Sequence, residues 1–201
     1  MDIRNFMEYI TLALGWIVFY VIHSLLANLN IKRKFKLWMG AYYIWYRLIY
    51  STLATFLFLG LFVYAGSIAP DWVYRPSDSS TYFGYMLATL GTIIAVKSMK
   101  GISLGRFIGW HAHDDLNEKE QLILSGWYSH VRHPLYLALI LIFLGYFLYV
   151  PNFASMIHLM ALLLYLPLGV YYEEKKLVAI YGDAYIDYQR NVPPILPRFK
   201  K

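Results

Sequence analysis

Five long apolar runs separated by polar stretches dominate this chain. They cover residues 6–29, 44–69, 82–96, 135–150 and 153–172. The first carries only Glu8 near its start and His23-Ser24 near its end, and the second only Arg47 near one end. The third contains Gly84 and Gly91; the fifth has Pro167 and Gly169 near its end. A membrane-spanning helix needs about 20 predominantly apolar residues, roughly 17–25. The third and fourth runs are short by that measure but can each extend by a turn; buried or re-entrant helices are the alternative. Pro151-Asn152 predicts a tight turn, so the fourth and fifth runs form a helical hairpin. The pattern predicts an all-α polytopic membrane helix bundle of about five transmembrane helices.

Composition agrees. The 201 residues are 59% hydrophobic and 15% charged, with a mean hydropathy of +0.45, whereas soluble domains are about a quarter charged. At this length the expectation is one integral-membrane domain, 1–201, with an N-terminal three-helix part (1–100) and a C-terminal module (101–201). The chain lacks cysteine, which excludes disulfides and thiolate metal sites. The first run is too long for a signal-peptide core and reads as the first membrane helix.

The net charge of +6 changes the picture through its placement. Lys32, Arg33, Lys34 and Lys36 lie between the first two runs, with Arg47 at the boundary; Lys97, Lys100, Arg106, Lys119 and Arg132 between the third and fourth; Lys175, Lys176, Arg190, Arg198, Lys200 and Lys201 after the fifth. The opposite side receives only Arg4 and Arg75. By the positive-inside rule the N-terminus is outside and the C-terminus in the cytoplasm. The basic charge reads as topology and attraction to anionic lipid, with no nucleic-acid motif behind it. Trp38, Tyr42, Tyr43, Trp45 and Tyr46, and again Trp72, Tyr74 and Tyr82, mark interfaces as an aromatic belt.

Two polar segments, 97–133 and 173–201, are too long for simple connectors. The second is expected to be one amphipathic helix from Glu173 to Gln189, with Tyr181, Tyr185 and Tyr188 as a stripe. It would lie at the membrane surface or pack on the first segment. Candidate chemistry sits at the edges of both. Pro134 suits the first turn of a helix, which places Arg132 and His133 at a helix N-terminus that favours an anion; the plain alternative is a topology signal beside an interfacial histidine. Glu173-Glu174 follows an apolar helix where bases are expected. Those acids can pair with Lys176, Arg132 or Arg190, meet a ligand ammonium, or be a solvated helix end. His111 and His113 could hold a metal but have no evident further ligands, and no metal site is expected. His23-Ser24 is expected to make a buried hydrogen bond. An Arg/His site facing an acidic pair suits a small zwitterion such as S-adenosylmethionine.

The residues Leu124-Ser125-Gly126-Trp127-Tyr128, Val131-Arg132-His133-Pro134-Leu135-Tyr136, Glu173-Glu174 with Leu177, Tyr181-Gly182, Tyr185 and Tyr188, then Val192-Pro193 and Pro197 occur in this order in integral-membrane methyltransferases. From about Glu120 to Arg198 the chain resembles the isoprenylcysteine carboxyl methyltransferase and phospholipid methyltransferase superfamily. His23-Ser24-Leu25-Leu26-Ala27 and Tyr46-Arg47-Leu48-Ile49-Tyr50 resemble its NnrU-like and methanethiol S-methyltransferase-like branches. The resemblance implies an S-adenosylmethionine-dependent methyltransferase whose cofactor site, on the cytoplasmic side, is lined by Gly126, Tyr128, Arg132, His133 and Tyr136, with Glu173 and Glu174 opposite. Arg132 would bind the carboxylate or order the acidic pair. The acceptor would be lipid-soluble or small and apolar (a thiol, carboxylate or amine) and would come from the bilayer. Two departures stand out. Ala138 replaces a usual glycine, and residues 168–172 lack the arginine that isoprenylcysteine enzymes carry before the acidic pair. The competing readings are a non-catalytic membrane protein retaining the module and an NADPH-dependent reductase of the sterol type.

Overall fold

A computed structural model describes residues 3–117 and 121–197. Lys119, Arg198, Lys200 and Lys201 of the charge pattern, and Glu120 and Arg198 at the limits of the resemblance, lie outside the described residues. The apolar runs are helices: α1 (Ile3–Ala27), α3 (Tyr46–Ser67), α4 (Asp78–Ser98), α6 (Pro134–Tyr149) and α7 (Phe153–Tyr181). Three shorter helices lie between and after them: α2 (Leu29–Met39), α5 (Leu104–Ile108) and α8 (Asp183–Asn191). The architecture is an all-α membrane bundle.

Four helical stretches among the described residues are long and apolar enough to span a membrane: α1, α4, α7, and α3 read continuously with α2. The fifth expected span, α6, has 16 residues. At 1.5 Å per residue it reaches about 24 Å, short of a bilayer core of about 30 Å. It sits against α4 through small residues. A Cβ on Gly145 would lie 2.5 Å from the Gly84 carbonyl oxygen, and one on Gly91 would lie 2.7 Å from that of Ala138. In lipid the apolar surroundings give helices no reason to associate, so close backbone approach at small residues supplies the contact. Ala138, 1% exposed, occupies this seam, which explains why a small residue suffices there.

The other half of the bundle packs α1, α3 and α7 around Leu12, Trp16, Phe19, Leu159, Leu162 and Leu166. On α1, Leu14, Ile17, Val18 and Val21 face outward to lipid. The Trp16 indole donates to His158 Nδ1 at 2.8 Å, which anchors α1 to α7 in the interior. Asn152 caps α7 by accepting from the Ser155 amide at 2.8 Å, so Pro151-Asn152 forms the expected turn. The segment before α4 is tied to that turn, with the Val73 amide 2.8 Å from the Pro151 carbonyl. Tyr9 donates to the Ala69 carbonyl at 3.2 Å. These contacts close the bundle at the end opposite Glu173.

One expectation is corrected. Residues 173–189 do not form a separate helix. α7 runs through Pro167 and past the acidic pair to Tyr181, as membrane helices with packed neighbours tolerate. The chain then breaks at Gly182, whose φ of +59° is a conformation glycine adopts without penalty. Tyr181 therefore lies on α7, while Tyr185 and Tyr188 lie on α8, both buried. The tyrosine periodicity continued across the break because a single glycine interrupts it.

Candidate active site

The hairpin brings the segment before α6 beside the last turns of α7. Gly126 opens a 3-10 turn through Ser129. Its φ is +65°, and among the described residues no atom lies within 4 Å of where a Cβ would be, so glycine serves the backbone there. The segment then leads through Val131, fully buried, into Arg132, His133 and the first turn of α6. The tail after α8 returns across it. The Arg132 amide donates to the Pro193 carbonyl and the His133 amide to that of Pro194, each at 2.9 Å. Those prolines lack an N–H, yet their carbonyls satisfy two amides that would otherwise be unpaired at a helix start.

Arg132 is the centre of the cluster. Its Nε and Nη2 approach the same Glu174 Oε1 at 2.7 and 2.6 Å. Its Nη1 donates to the Gln189 carbonyl at 3.0 Å and to the Val192 carbonyl. The side chain is 9% exposed. Of the two roles expected for Arg132, the geometry matches ordering of the acidic pair, since the guanidinium is already committed. Glu174 also meets His133 Nε2 at 3.1 Å, and its Oε2 accepts from Gln189 at 3.0 Å. Sequence reasoning missed Gln189, because a glutamine at the end of an amphipathic helix carries no distinguishing signal.

Glu173 is placed differently. Its Oε2 lies 3.4 Å from His133 Nδ1, and its side chain remains 43% exposed. Tyr136 interacts with the same carboxylate and stacks on the His133 ring, 5.4 Å between centroids at 25°. Both ring nitrogens of His133 thus face carboxylate oxygens, and Glu173 is the more exposed of the two acids. Tyr188 donates to the Tyr128 carbonyl at 2.5 Å, so α8 packs on the first polar segment. Burial pushes the Tyr188 phenol up to about 12. Tyr128 and Tyr185 are raised as well, by burial first and then by the nearby carboxylates. All three stay neutral donors at physiological pH. The Tyr185 hydroxyl, buried within reach of Glu173, Glu174 and Arg132, has no hydrogen-bond partner among the described residues. A buried hydroxyl left unpaired costs about 1–3 kcal/mol and is a place for a ligand's polar atom.

All seven residues singled out in sequence (Gly126, Tyr128, Arg132, His133, Tyr136, Glu173 and Glu174) lie on the elements that build this one region. His111 and His113 belong elsewhere. His113 is buried and its Nδ1 is 2.9 Å from the His111 carbonyl. The neighbouring Asp115 pairs with buried Lys32 and accepts from Tyr43 at 2.8 Å. Burial alone would raise the Asp115 carboxyl; Lys32, Tyr43 and Lys176 together hold it below the usual carboxylate range. Lys36 pairs with Asp114, so α2 is clasped to this loop by two ion pairs.

The family model described as phospholipid methyltransferase matches residues 79–184. Methanethiol S-methyltransferase of Crocosphaera subtropica is 27% identical over 194 residues, which cover 90% of this chain and 71% of that protein. Protein-S-isoprenylcysteine O-methyltransferase of Schizosaccharomyces pombe is 32% identical over 82 residues, 40% of this chain and 35% of its own length. No solved structure matches this chain.

Proposed function

The chain belongs to the phospholipid methyltransferase family, and from that premise we propose that it is an integral-membrane methyltransferase that uses S-adenosylmethionine and methylates a small apolar thiol. The observation that carries the cofactor is the accessible Glu173 carboxylate, in the same cluster as the Tyr185 hydroxyl that has no partner among the described residues. S-adenosylmethionine is a net cation with an ammonium, a sulfonium, a carboxylate and an adenosine, and the donor set fits it. Glu173 takes the ammonium or ribose hydroxyls. Tyr185 and Tyr128, held neutral, donate to its acceptor atoms. Arg132 and His133 hold Glu174, and through His133 also hold Glu173, so the acids are ordered before the cofactor arrives.

When bound, the cofactor supplies an electrophilic methyl group on its sulfonium. The chain contributes alignment and exclusion of water, since an in-line displacement gains most from a fixed near-attack geometry in a dry site. The acceptor assignment is supported by the extent of the matches. The resemblance to the methanethiol enzyme runs over 90% of this chain, N-terminal helices included, whereas that to the isoprenylcysteine enzyme covers 40%. The missing arginine before Glu173 agrees with this. The acceptor enters from the bilayer, and the charge pattern supports a site on the cytoplasmic side.

Isothermal titration of the purified protein with S-adenosylhomocysteine, followed by transfer of labelled methyl from S-adenosylmethionine to an alkanethiol, tests this. Saturable binding and a labelled thioether are expected. Well-folded protein that binds no S-adenosylhomocysteine overturns the cofactor; binding with label passing only to amines or carboxylates overturns the thiol.

A further inference from the structure

We propose that the space between α3, α4 and α6 is a binding site for one acyl chain of a bilayer phospholipid, taken from the leaflet on the side opposite Glu173. The inference goes beyond the methyl-transfer reading and does not depend on it. α4 packs along α6 through the glycine seam, and α3 packs along α1. Where the two pairs face each other they leave a cavity of about 410 Å³, within the range of ligand pockets, about 300–1,000 Å³. α3 contributes Phe58 and Phe62 to its wall, α4 contributes Tyr85 and Ala88, and α6 contributes Leu139 and Tyr149. A space of this size does not stay void in a close-packed interior.

The lining selects hydrocarbon. Among the described residues its polar side chains are Tyr85, Tyr146 and Tyr149, all towards the Pro151-Asn152 end of the bundle. Deeper in, Phe58, Leu139, Ile142 and Phe143 offer no polar side-chain atom. Water inside a protein needs several polar partners, whereas an apolar cavity stays dry and takes apolar molecules. A polar ligand would give up its hydrogen bonds to water there without replacement.

The dimensions select an acyl chain. From Leu139 to Tyr149 the wall follows α6 for about 15 Å at 1.5 Å per residue. That is half of a bilayer core of about 30 Å, the depth of one leaflet's hydrocarbon, and far more than a small alkanethiol fills. The mouth is at the end where Tyr85 and Tyr149 are 52% and 44% exposed, with ring centroids 4.9 Å apart. Amphipathic tyrosine rings suit the headgroup level. The headgroup therefore sits at this mouth, and the chain runs inward against Phe58 and Leu139.

The bound chain completes the packing between α3 and α4 that side chains leave open. It joins the α4–α6 pair to the half of the bundle built from α1, α3 and α7.

The test places the protein in vesicles of phosphatidylcholine that carries a diazirine on one acyl chain, irradiates them and maps the adducts. Phe143 lies on the cavity wall and is only 4% exposed, so lipid around the protein does not reach it, whereas Leu14 and Val18 face that lipid. Adducts are expected at all three. Ala88→Phe and, separately, Leu139→Trp put a ring where the chain lies and should abolish the Phe143 adduct while keeping those at Leu14 and Val18. Thermal unfolding shows which variant is folded. Native mass spectrometry of the wild type needs no variant and should show one phospholipid retained per chain after detergent exchange. No Phe143 adduct in the wild type, an adduct that persists in a folded variant, or no retained phospholipid overturns the site. Loss of the wild-type adduct on adding octanethiol overturns the phospholipid and assigns the cavity to an alkanethiol instead.

Discussion

Arg132 and Glu174 form a buried ion pair across 42 residues of sequence, with Nε and Nη2 at 2.7 and 2.6 Å from one carboxylate oxygen. The hairpin of α6 and α7 makes the pair possible, and the carbonyls of Gln189 and Val192 complete it from the tail. Removing one partner of such a pair strands the other charge, at about 3–5 kcal/mol. Glu174→Gln should therefore lower both thermal stability and S-adenosylhomocysteine affinity. Arg132→Lys keeps the charge but loses the fork that reaches Glu174 and two carbonyls together, so it should behave similarly. A double-mutant cycle on the pair should be non-additive by about 0.5–3 kcal/mol; additive losses would mean the contact is not formed.

Glu173 should respond differently. It is the more exposed acid and has fewer partners. Glu173→Gln is expected to leave the melting temperature nearly unchanged while weakening S-adenosylmethionine binding about tenfold, or roughly 1.4 kcal/mol. Titration calorimetry against thermal unfolding separates the two effects. A large loss of stability with unaltered affinity would reassign Glu173 to the scaffold.

The α4–α6 seam gives a packing prediction. A Cβ at Gly145 would meet the Gly84 carbonyl oxygen at 2.5 Å and the Ala88 amide nitrogen at 2.8 Å, both backbone atoms that cannot swing aside. Gly145→Ala should force the helices apart and cost about 1–3 kcal/mol, seen as a lower melting temperature in detergent. Gly60→Ala is the control, because nothing lies within 4 Å of its Cβ position; it should be tolerated.

Asp115 gives a pH dependence. Its carboxyl is held below the usual range by Lys32, Tyr43 and Lys176 against the opposing effect of burial. A group with a depressed folded value stabilises the fold above its unfolded value of about 3.9 and loses that contribution as pH falls through the folded value. The contribution of Asp115 to the clasp between α2 and the 111–117 loop should thus be lost as pH falls below about 4. Asp115→Asn should remove the acid-dependent part of the melting curve; an unchanged curve would contradict the ion pair.

Much of this was legible in the residues. The apolar runs became the long helices, Pro151-Asn152 became the turn, Pro134 opened α6, and His23 and Ser24 made the expected interhelical hydrogen bonds. The seven candidate site residues converge because the hairpin aligns their ends. The break at Gly182 was not legible, since Tyr181, Tyr185 and Tyr188 keep helical spacing across it. Nor was the length of α7, because Pro167 and the acidic pair read as an ending in sequence while packed neighbours carry the helix through both.

What the sequence by itself determined is the membrane bundle and the end of it at which the candidate site residues gather. Hydropathy over some twenty residues and the cost of burying charge are local quantities, and they act the same way wherever a helix finally packs. Which partner each polar side chain takes was decided only by the tertiary structure. Arg132 is consumed by Glu174 and two carbonyls, Glu173 keeps an open side, and His23 faces Tyr50 across the α1–α3 seam. Those choices depend on rotamers, close approach and competing partners from elements distant in the chain, and no stretch of sequence contains them alone.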